Sequence, residues 1–195
     1  MHVRELIEKN YPEYYGWFDY PAERTVAFCK ADQEWGILGN FGRTPLVVDC
    51  VKFYAAESLF QVMKFTDPTA RKDIYSYEGQ KLKMRAKHWE KEVGVRPDWG
   101  EILVDALKFC LMTKWEQSEA FRSELARTGD RFIVEVQNNS RKPADTYSAK
   151  LTPDGAAWSG PNLMGRLLME LRDKGRLEYR LPEDVLTFSD LLVEG

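Results

Sequence analysis

Three polar side chains share one narrow stripe of an otherwise apolar stretch, Tyr-Ala-Ala-Glu-Ser-Leu-Phe-Gln-Val-Met-Lys-Phe at residues 54–65. On a helix, at 100° per residue, Glu57, Gln61 and Lys64 fall together. Phe60 and Phe65 flank the stripe, and Leu59, Val62 and Met63 cover the far side. A carboxylate is suited to moving protons or stabilising positive charge, and an ammonium to fixing that carboxylate or holding a phosphate. Two readings are open at this point. The stripe is a thin solvated face with an ordinary surface ion pair, or it is the floor of a cleft. In a cleft, a desolvated Glu–Lys pair is costly unless it is used. Pattern alone does not choose between them.

Composition removes several other chemistries. Only His2 and His88 are available, which argues against a His-rich metal site and a Ser-His-Asp triad. No carboxylate cluster stands at metal-ligand spacing, so no metal and no cofactor is expected. Cys29, Cys50 and Cys110 are too few and too scattered for a disulfide framework, and read as reduced thiols in a cytoplasmic protein. There is no long apolar run, signal peptide or lipidation motif, so neither membrane nor export is indicated. A net charge of −3 argues against a general nucleic-acid binder with a basic surface. Local phosphate binding stays open. Residues 71–96 carry eight Lys or Arg against four acids, either a solvated helical face or a source of phosphate ligands such as Arg85 or Lys87.

The elements that must position the stripe are legible in outline. Residues 1–24 begin amphipathically and continue as an aromatic cluster (Tyr11, Tyr14, Tyr15, Trp17, Phe18, Tyr20), expected to form a strap packed over the core. Thr25 to Lys30 alternates as a strand does. Asp32 to Phe41 is a loop carrying Trp35, Gly39 and Asn40, and loops are where binding groups concentrate. Pro45 to Tyr54 reads as two short strands about a turn at Asp49-Cys50. Asp67-Pro68 ends the central helix. Trp99 opens a helix to about Gln117, with Ile102, Leu103, Ala106, Leu107 and Cys110 at core spacing. Gly129 stops a further helix before a strand through Phe132, Val134 and Val136. Residues 138–160 read as a loop. Asn162 can cap a last helix that Gly175 ends, with Gly165 allowing close packing. The tail 176–195 reads as an added segment with one short helix after Pro182.

The ordered blocks carry a resemblance. Ala56-Glu57-Ser58-Leu59-Phe60-Gln61-Val62-Met63-Lys64-Phe65 resembles the Ser-Glu-His-x-x-Gln-x-x-Lys-Phe signature of the NADAR (YbiA-like) family. Leu38-Gly39-Asn40-Phe41 looks like its Ser-Asn-Phe block. Trp99, Met112-Thr113-Lys114-Trp115, Leu125 to Gly129 with Glu135, and Gly160-Pro161-Asn162-Leu163-Met164-Gly165 with Leu168-Met169-x-x-Arg172 follow in the family's order. The match runs from about Thr25 to Arg172. It implies an α+β, mainly helical single domain with a small antiparallel sheet, occupying residues 25–175 between the N-terminal strap and the C-terminal extension. It also implies an N-glycosidase without metal, acting on ribose joined through C1′ to nitrogen. Carried onto this chain, the catalytic candidates are Glu57, Lys64 and Asp145. The substrate-binding candidates are Asn40, Phe41, Trp35, Gln61, Trp99, Tyr147, Trp158 and Asn162. Two departures stand out. Relatives tend to have Asp-Gly where this chain has Asp49-Cys50, and Asp-x-x-Trp-Gly where it has Asp145-Thr146-Tyr147-Ser148-Ala149. Tyr147 and Trp158 are the aromatics available to replace the missing tryptophan.

Cleaving an N-ribosyl bond passes through an oxocarbenium-like state, so a carboxylate must face C1′ or activate water. Glu57 is the choice, with Asp145 orienting ribose hydroxyls or water. A second route is open, because an aminal can open to an imine that Lys64 would attack to form a Schiff base. The expected partner is a small-molecule nucleotide or an ADP-ribosylated nucleobase, extending to ADP-ribosylated nucleic acid, with no membrane and no obligate protein partner. ADP-ribose conjugates are preferred over ribosylamino-pyrimidine phosphates of the riboflavin pathway because the 145–149 loop departs from the riboflavin-type pattern. A non-catalytic ADP-ribose or NAD binder and a pure interaction protein are the readings from other classes.

Overall fold

Helix caps and turn residues mark the borders of the elements in this chain. Asp67 accepts from the Ala70 amide at 2.8 Å with Pro68 in the first turn, and Ser118 accepts from the Phe121 amide at 3.1 Å. Both are side-chain caps for otherwise unpaired first-turn amides. A computed structural model describes residues 3–138 and 141–192. His2, two residues of the expected 138–160 loop and the last three of the tail lie outside the described residues. In chain order the elements are α1 (Val3–Asn10), β1 (Phe18–Pro21), β2 (Thr25–Phe28), β3 (Leu46–Val48), β4 (Val51–Phe53), α2 (Ala56–Met63), α3 (Pro68–Tyr75), α4 (Gly79–Glu92), α5 (Trp99–Gln117), α6 (Glu119–Arg127), β5 (Phe132–Glu135), β6 (Lys150–Leu151), β7 (Ala157–Gly160) and α7 (Leu163–Lys174), with short 3₁₀ turns between some of them. The class is α+β and mainly helical, as expected.

The chain divides into two compact units, each assembled from two segments: 1–42 with 118–177, and 43–117 with 178–195. In the first, β1, β7 and β6 form an antiparallel sheet in that order. The aromatic N-terminal segment is therefore woven into a sheet by β1, with Tyr20 buried against Val134 and Ala149. Strands β2 and β5 pair in parallel, an addition to the expected antiparallel sheet. Alternation shows that each is a strand but not its direction, and parallel partners need a long connection. The reading of 138–160 as a loop is corrected, because β6 and β7 lie inside it. These strands are two and four residues long and half-exposed, too short for alternation to stand out. Helix α7 lies hard against β5 at Gly165, where a Cβ would run into the Ile133 carbonyl.

In the second unit, α2 is the central element: every residue from Ala56 to Met63 is buried. Helices α3, α4 and α5 all pack on it. The tail is structural here, with Phe188 fully buried and its ring 5.0 Å from that of Phe53. The hairpin β3–β4 turns through Asp49 and Cys50, whose φ values of 49° and 63° are both left-handed, as a type I′ turn requires. The chain adopts this conformation without a glycine at either central position, and Cys50 carries the strain. Cys50 is exposed, so removing its side chain gives up little buried surface. Cys50→Gly is expected to stabilise the chain by about 1 kcal/mol, the scale of a left-handed residue's cost. That corresponds to a Tm rise of roughly 2–4 °C for a chain of this size. A lower Tm in thermal unfolding would refute the strain.

Candidate active site

The polar stripe on α2 is buried and internally bonded. Glu57 is 7% exposed and Gln61 5%. The Gln61 amide donates to Glu57 Oε1 at 2.9 Å, and Lys64 Nζ lies 3.3 Å from Gln61 Oε1. The i, i+4 and i, i+3 spacings place these groups one above another. Lys64 does not reach Glu57; Gln61 stands between them, and the ammonium pairs with Glu90 of α4. Among the described residues Glu57 has no ion-pair partner. The open choice of the sequence reading is settled in part: the stripe is not a solvated face. Glu57 sits in the first turn of α2, where the helix dipole favours a carboxylate.

Neighbouring helices hold this arrangement. On α4, Arg85 and Trp89 both bind Asp73 of α3 at 2.6 Å, which fixes the helix that carries Glu90. Arg85, considered above as a phosphate ligand, is committed to that contact, while Lys87 is exposed. Trp99 is buried at the start of α5, with its ring 5.2 Å from that of Phe60. One side of the indole is therefore occupied by protein.

Behind the stripe, α5 carries two fully buried titratable groups, Cys110 and Lys114. Burial, and then the charge of Glu57, push the Cys110 thiol well above its ordinary range. Burial pulls Lys114 from 10.5 down to about 7, with Cys110 acting weakly the other way. Between pH 7 and 10.5 the unfolded lysine binds a proton that the folded one does not, so stability rises with pH by up to about 1.4 kcal/mol per unit. Below pH 7 both states are protonated and the slope vanishes. Cys110 has the opposite sign, but only above about pH 8.5, where an unfolded thiol ionises. The clean window is about pH 7 to 8.5. Over it, wild type is expected to gain stability relative to Lys114→Met by about 1 kcal/mol per pH unit, read by denaturant unfolding. A pH-independent gap would contradict a neutral Lys114.

The remaining candidates lie in the first unit. Asn40 is 6% exposed, and its Oδ1 has no hydrogen-bond partner among the described residues. A buried, unpaired amide oxygen needs an explanation, and a ligand donor supplies one. Its loop is folded tightly: a Cβ on Gly42 would lie 2.8 Å from Ile37 Cα. Phe41 is half-buried beside it. Trp35 has φ 63° and carries the guanidinium of Arg127 at 3.7 Å over its ring, so one face is covered.

Asp145 is exposed, and its Oδ1 accepts from Ser148 Oγ at 2.6 Å and the Tyr147 amide at 3.1 Å. Ser148 thus fastens the Asp145 carboxylate. Tyr147 is half-buried, and Trp158 on β7 packs beside the cluster of Tyr20, Val134 and Ala149. The capping role expected of Asn162 is corrected. The carbonyls of Ser148, Thr146 and Tyr147 accept from the amides of Asn162, Leu163 and Met164 at 3.0–3.2 Å, so the first turn of α7 is satisfied by backbone. The Asn162 side chain is left to bridge β5. It donates to the Ile133 carbonyl at 2.8 Å and accepts from the Glu135 amide at 3.1 Å, fully buried. With both ends engaged in this way, it reads as a structural residue.

The structure thus brings together Glu57, Gln61 and Lys64 by direct bonds, with Trp99 joined to α2 through Phe60. It places Asp145, Tyr147 and Asn162 at one loop–helix junction, and Trp35, Asn40 and Phe41 on one loop. Sequence reasoning missed Glu90, which sits 26 positions from Lys64 with no pattern linking them. It also missed Lys114, although a signal existed: a lysine falls on the core stripe that runs through Leu103, Leu107 and Cys110. Among the described residues no three His, Cys, Asp or Glu side chains gather as a metal site would need, and no helix is long and apolar enough to cross a membrane.

The chain is similar to known proteins over most of its length. The chain is 28% identical over 153 residues to the N-glycosidase YbiA of Escherichia coli, covering 78% of this chain and 89% of that protein. It is 27% identical over 168 residues to a riboflavin biosynthesis protein of Vibrio vulnificus. That match spans 86% of this chain but only 42% of the Vibrio protein's length. The NMR structure of the Escherichia coli protein YbiA superposes with a TM-score of 0.60 at 25% identity, over 77% of this chain and 83% of that one. The NADAR domain model matches residues 27–176, which include the α2 stripe, the Asn40 loop and the Asp145 turn, and the chain belongs to the NADAR domain family.

Proposed function

We propose that the chain is an N-glycosidase that hydrolyses the C1′–N bond of an N-ribosyl compound, with an ADP-ribosylated nucleobase as the preferred substrate. The observation that carries this is Glu57: a buried carboxylate, held by a neutral amide and without an ion-pair partner among the described residues. Such a group is suited to facing positive charge as it develops at C1′ and the ring oxygen. In the hydrolysis, the C1′–N bond breaks, oxygen from water bonds C1′, and the departing nitrogen takes up a proton. Lys64 and Gln61 complete the reacting set. Trp99, Asn40, Phe41, Trp35, Tyr147, Trp158 and Asp145 are the proposed substrate-binding or orienting residues, each open to its own substitution. The relatives' names, an N-glycosidase and a riboflavin biosynthesis protein, support the reaction class. The Vibrio protein's name also keeps a ribosylamino-pyrimidine phosphate as the second substrate reading.

The test is incubation with ADP-ribosylated guanosine and with the ribosylamino-pyrimidine phosphate, with and without EDTA, followed by mass spectrometry. Release of free ADP-ribose or of ribose phosphate is expected, and EDTA is expected to leave it unchanged. A thermal shift without turnover of either compound would replace the enzyme reading with that of a binder.

A further inference from the structure

Arg96 links two of the candidate residues through its backbone. Its amide donates to the carbonyl of Lys64 at 2.8 Å, and its carbonyl accepts from the amide of Trp99 at 3.1 Å. One residue thus ties the end of α2 to the start of α5. The side chain is 6% exposed, and a buried guanidinium needs its donors taken up. Asp98 takes Nε at 2.6 Å and Nη2 at 2.9 Å in a two-pronged contact, and Asp184 takes Nη2 at 3.0 Å.

Asp184 comes from the 3₁₀ turn Glu183–Leu186, beyond the residues 27–176 that the family matches. The segment that carries it is anchored by contacts of its own. Val185 and Phe188 are buried. Asp49 Oδ2 accepts from the Phe188 amide at 2.6 Å. Arg71 of α3 donates to the Thr187 carbonyl at 2.5 Å and pairs with Asp190 at 3.0 Å.

We propose that Arg96 is a positioning residue for Lys64 and Trp99, and that residues 183–191 form a strap that fixes Arg96 through Asp184. Its catalytic consequence rests on the glycosidase reading above. Asp98 alone cannot fix Arg96, because the two lie two residues apart on one connection and would move together. Asp184 reaches in from 88 positions away and pins both to an anchored turn. The Asp184 side chain is 63% exposed, so this contact is weakened by salt and its loss loosens the connection without unfolding the unit.

Asp184→Asn and Arg96→Gln, singly and together, test the strap by two readouts. Amide hydrogen exchange at Arg96 and Trp99 is expected to speed up in both single variants, while the β3–β4 hairpin amides keep their wild-type rates. Turnover per folded molecule is expected to fall about tenfold or more in Arg96→Gln and a few-fold in Asp184→Asn, the scale of a small misplacement of reacting groups. KM should change less, and the double variant should be no slower than Arg96→Gln, because both act through one contact. Arg96→Lys, which keeps the charge without the fork, should recover part of the loss. Unchanged exchange in Asp184→Asn, or a folded Arg96→Gln with wild-type turnover, would overturn the proposal. A wild-type chain that cleaves no N-ribosyl substrate would refute the glycosidase reading separately, and the exchange measurement would still decide the strap.

Discussion

Glu57→Gln is expected to lose about 10²–10⁴-fold in turnover, the usual contribution of a positioned acid–base or charge-stabilising group. The fold should survive the change. Glutamine has the same shape, keeps an Oε1 that can accept from Gln61 Nε2 at the present 2.9 Å, and adds no bulk to a fully packed helix. What disappears is the negative charge at a site 7% exposed, where charge acts more strongly than it does in water. Substrate binding should change little, so kcat and kcat/KM should fall together, the mark of an interaction made in the transition state. Turnover within tenfold of wild type, with Tm and KM unchanged, would remove Glu57 from the chemistry. The carboxylate would then be a structural partner of Gln61 and nothing more.

How far the site could be read from the chain depends on whether its contacts are local. Glu57, Gln61 and Lys64 were legible because helical spacing alone puts them in one row, and the structure bonds them in that order. The turn at Asp49-Cys50 was legible as well, because a two-residue hairpin permits few backbone conformations. Contacts made across long separations left no such trace. Lys64 finds Glu90 26 positions away, where the sequence had offered Glu57 as the obvious partner. Arg85 looked free in a basic stretch until α3 supplied Asp73. Asn162 is a good N-cap by residue type, and only the fold shows that backbone carbonyls from 146–148 have taken over that role. The tail read as an addition because nothing local marks Phe188 as the ring that packs on Phe53.

Those distant contacts bear on the lysine. Before the structure, Lys64 had two uses: as a charge beside Glu57 or an anionic substrate, or as a nucleophile. Its pairing with Glu90 changes the balance. A charge already neutralised by a carboxylate is a poor anchor for a phosphate, and Gln61 keeps it from touching Glu57. What remains is attack on carbon; the Glu90 partner favours the ammonium, so the proton must pass to the departing nitrogen as the amine adds. Lys64→Arg is therefore expected to bring turnover to background while leaving the fold and the Glu90 pair in place, because a guanidinium keeps its charge at any working pH and cannot form an imine. In wild type, the Lys64 amine would add to C1′ of the ring-opened sugar, the base nitrogen would leave with a proton, and water would later release the sugar and restore the amine. Borohydride added during turnover should reduce that imine to a stable secondary amine, with the added mass mapping to Lys64. Glu57→Gln should lower the yield of this adduct in proportion to its loss of turnover, since Glu57 would move the protons in both half-reactions. An active Lys64→Arg enzyme with no trappable adduct would reverse the assignment. Water would then be the attacking group, Glu57 its activator, and the Lys64–Glu90 pair a brace between α2 and α4.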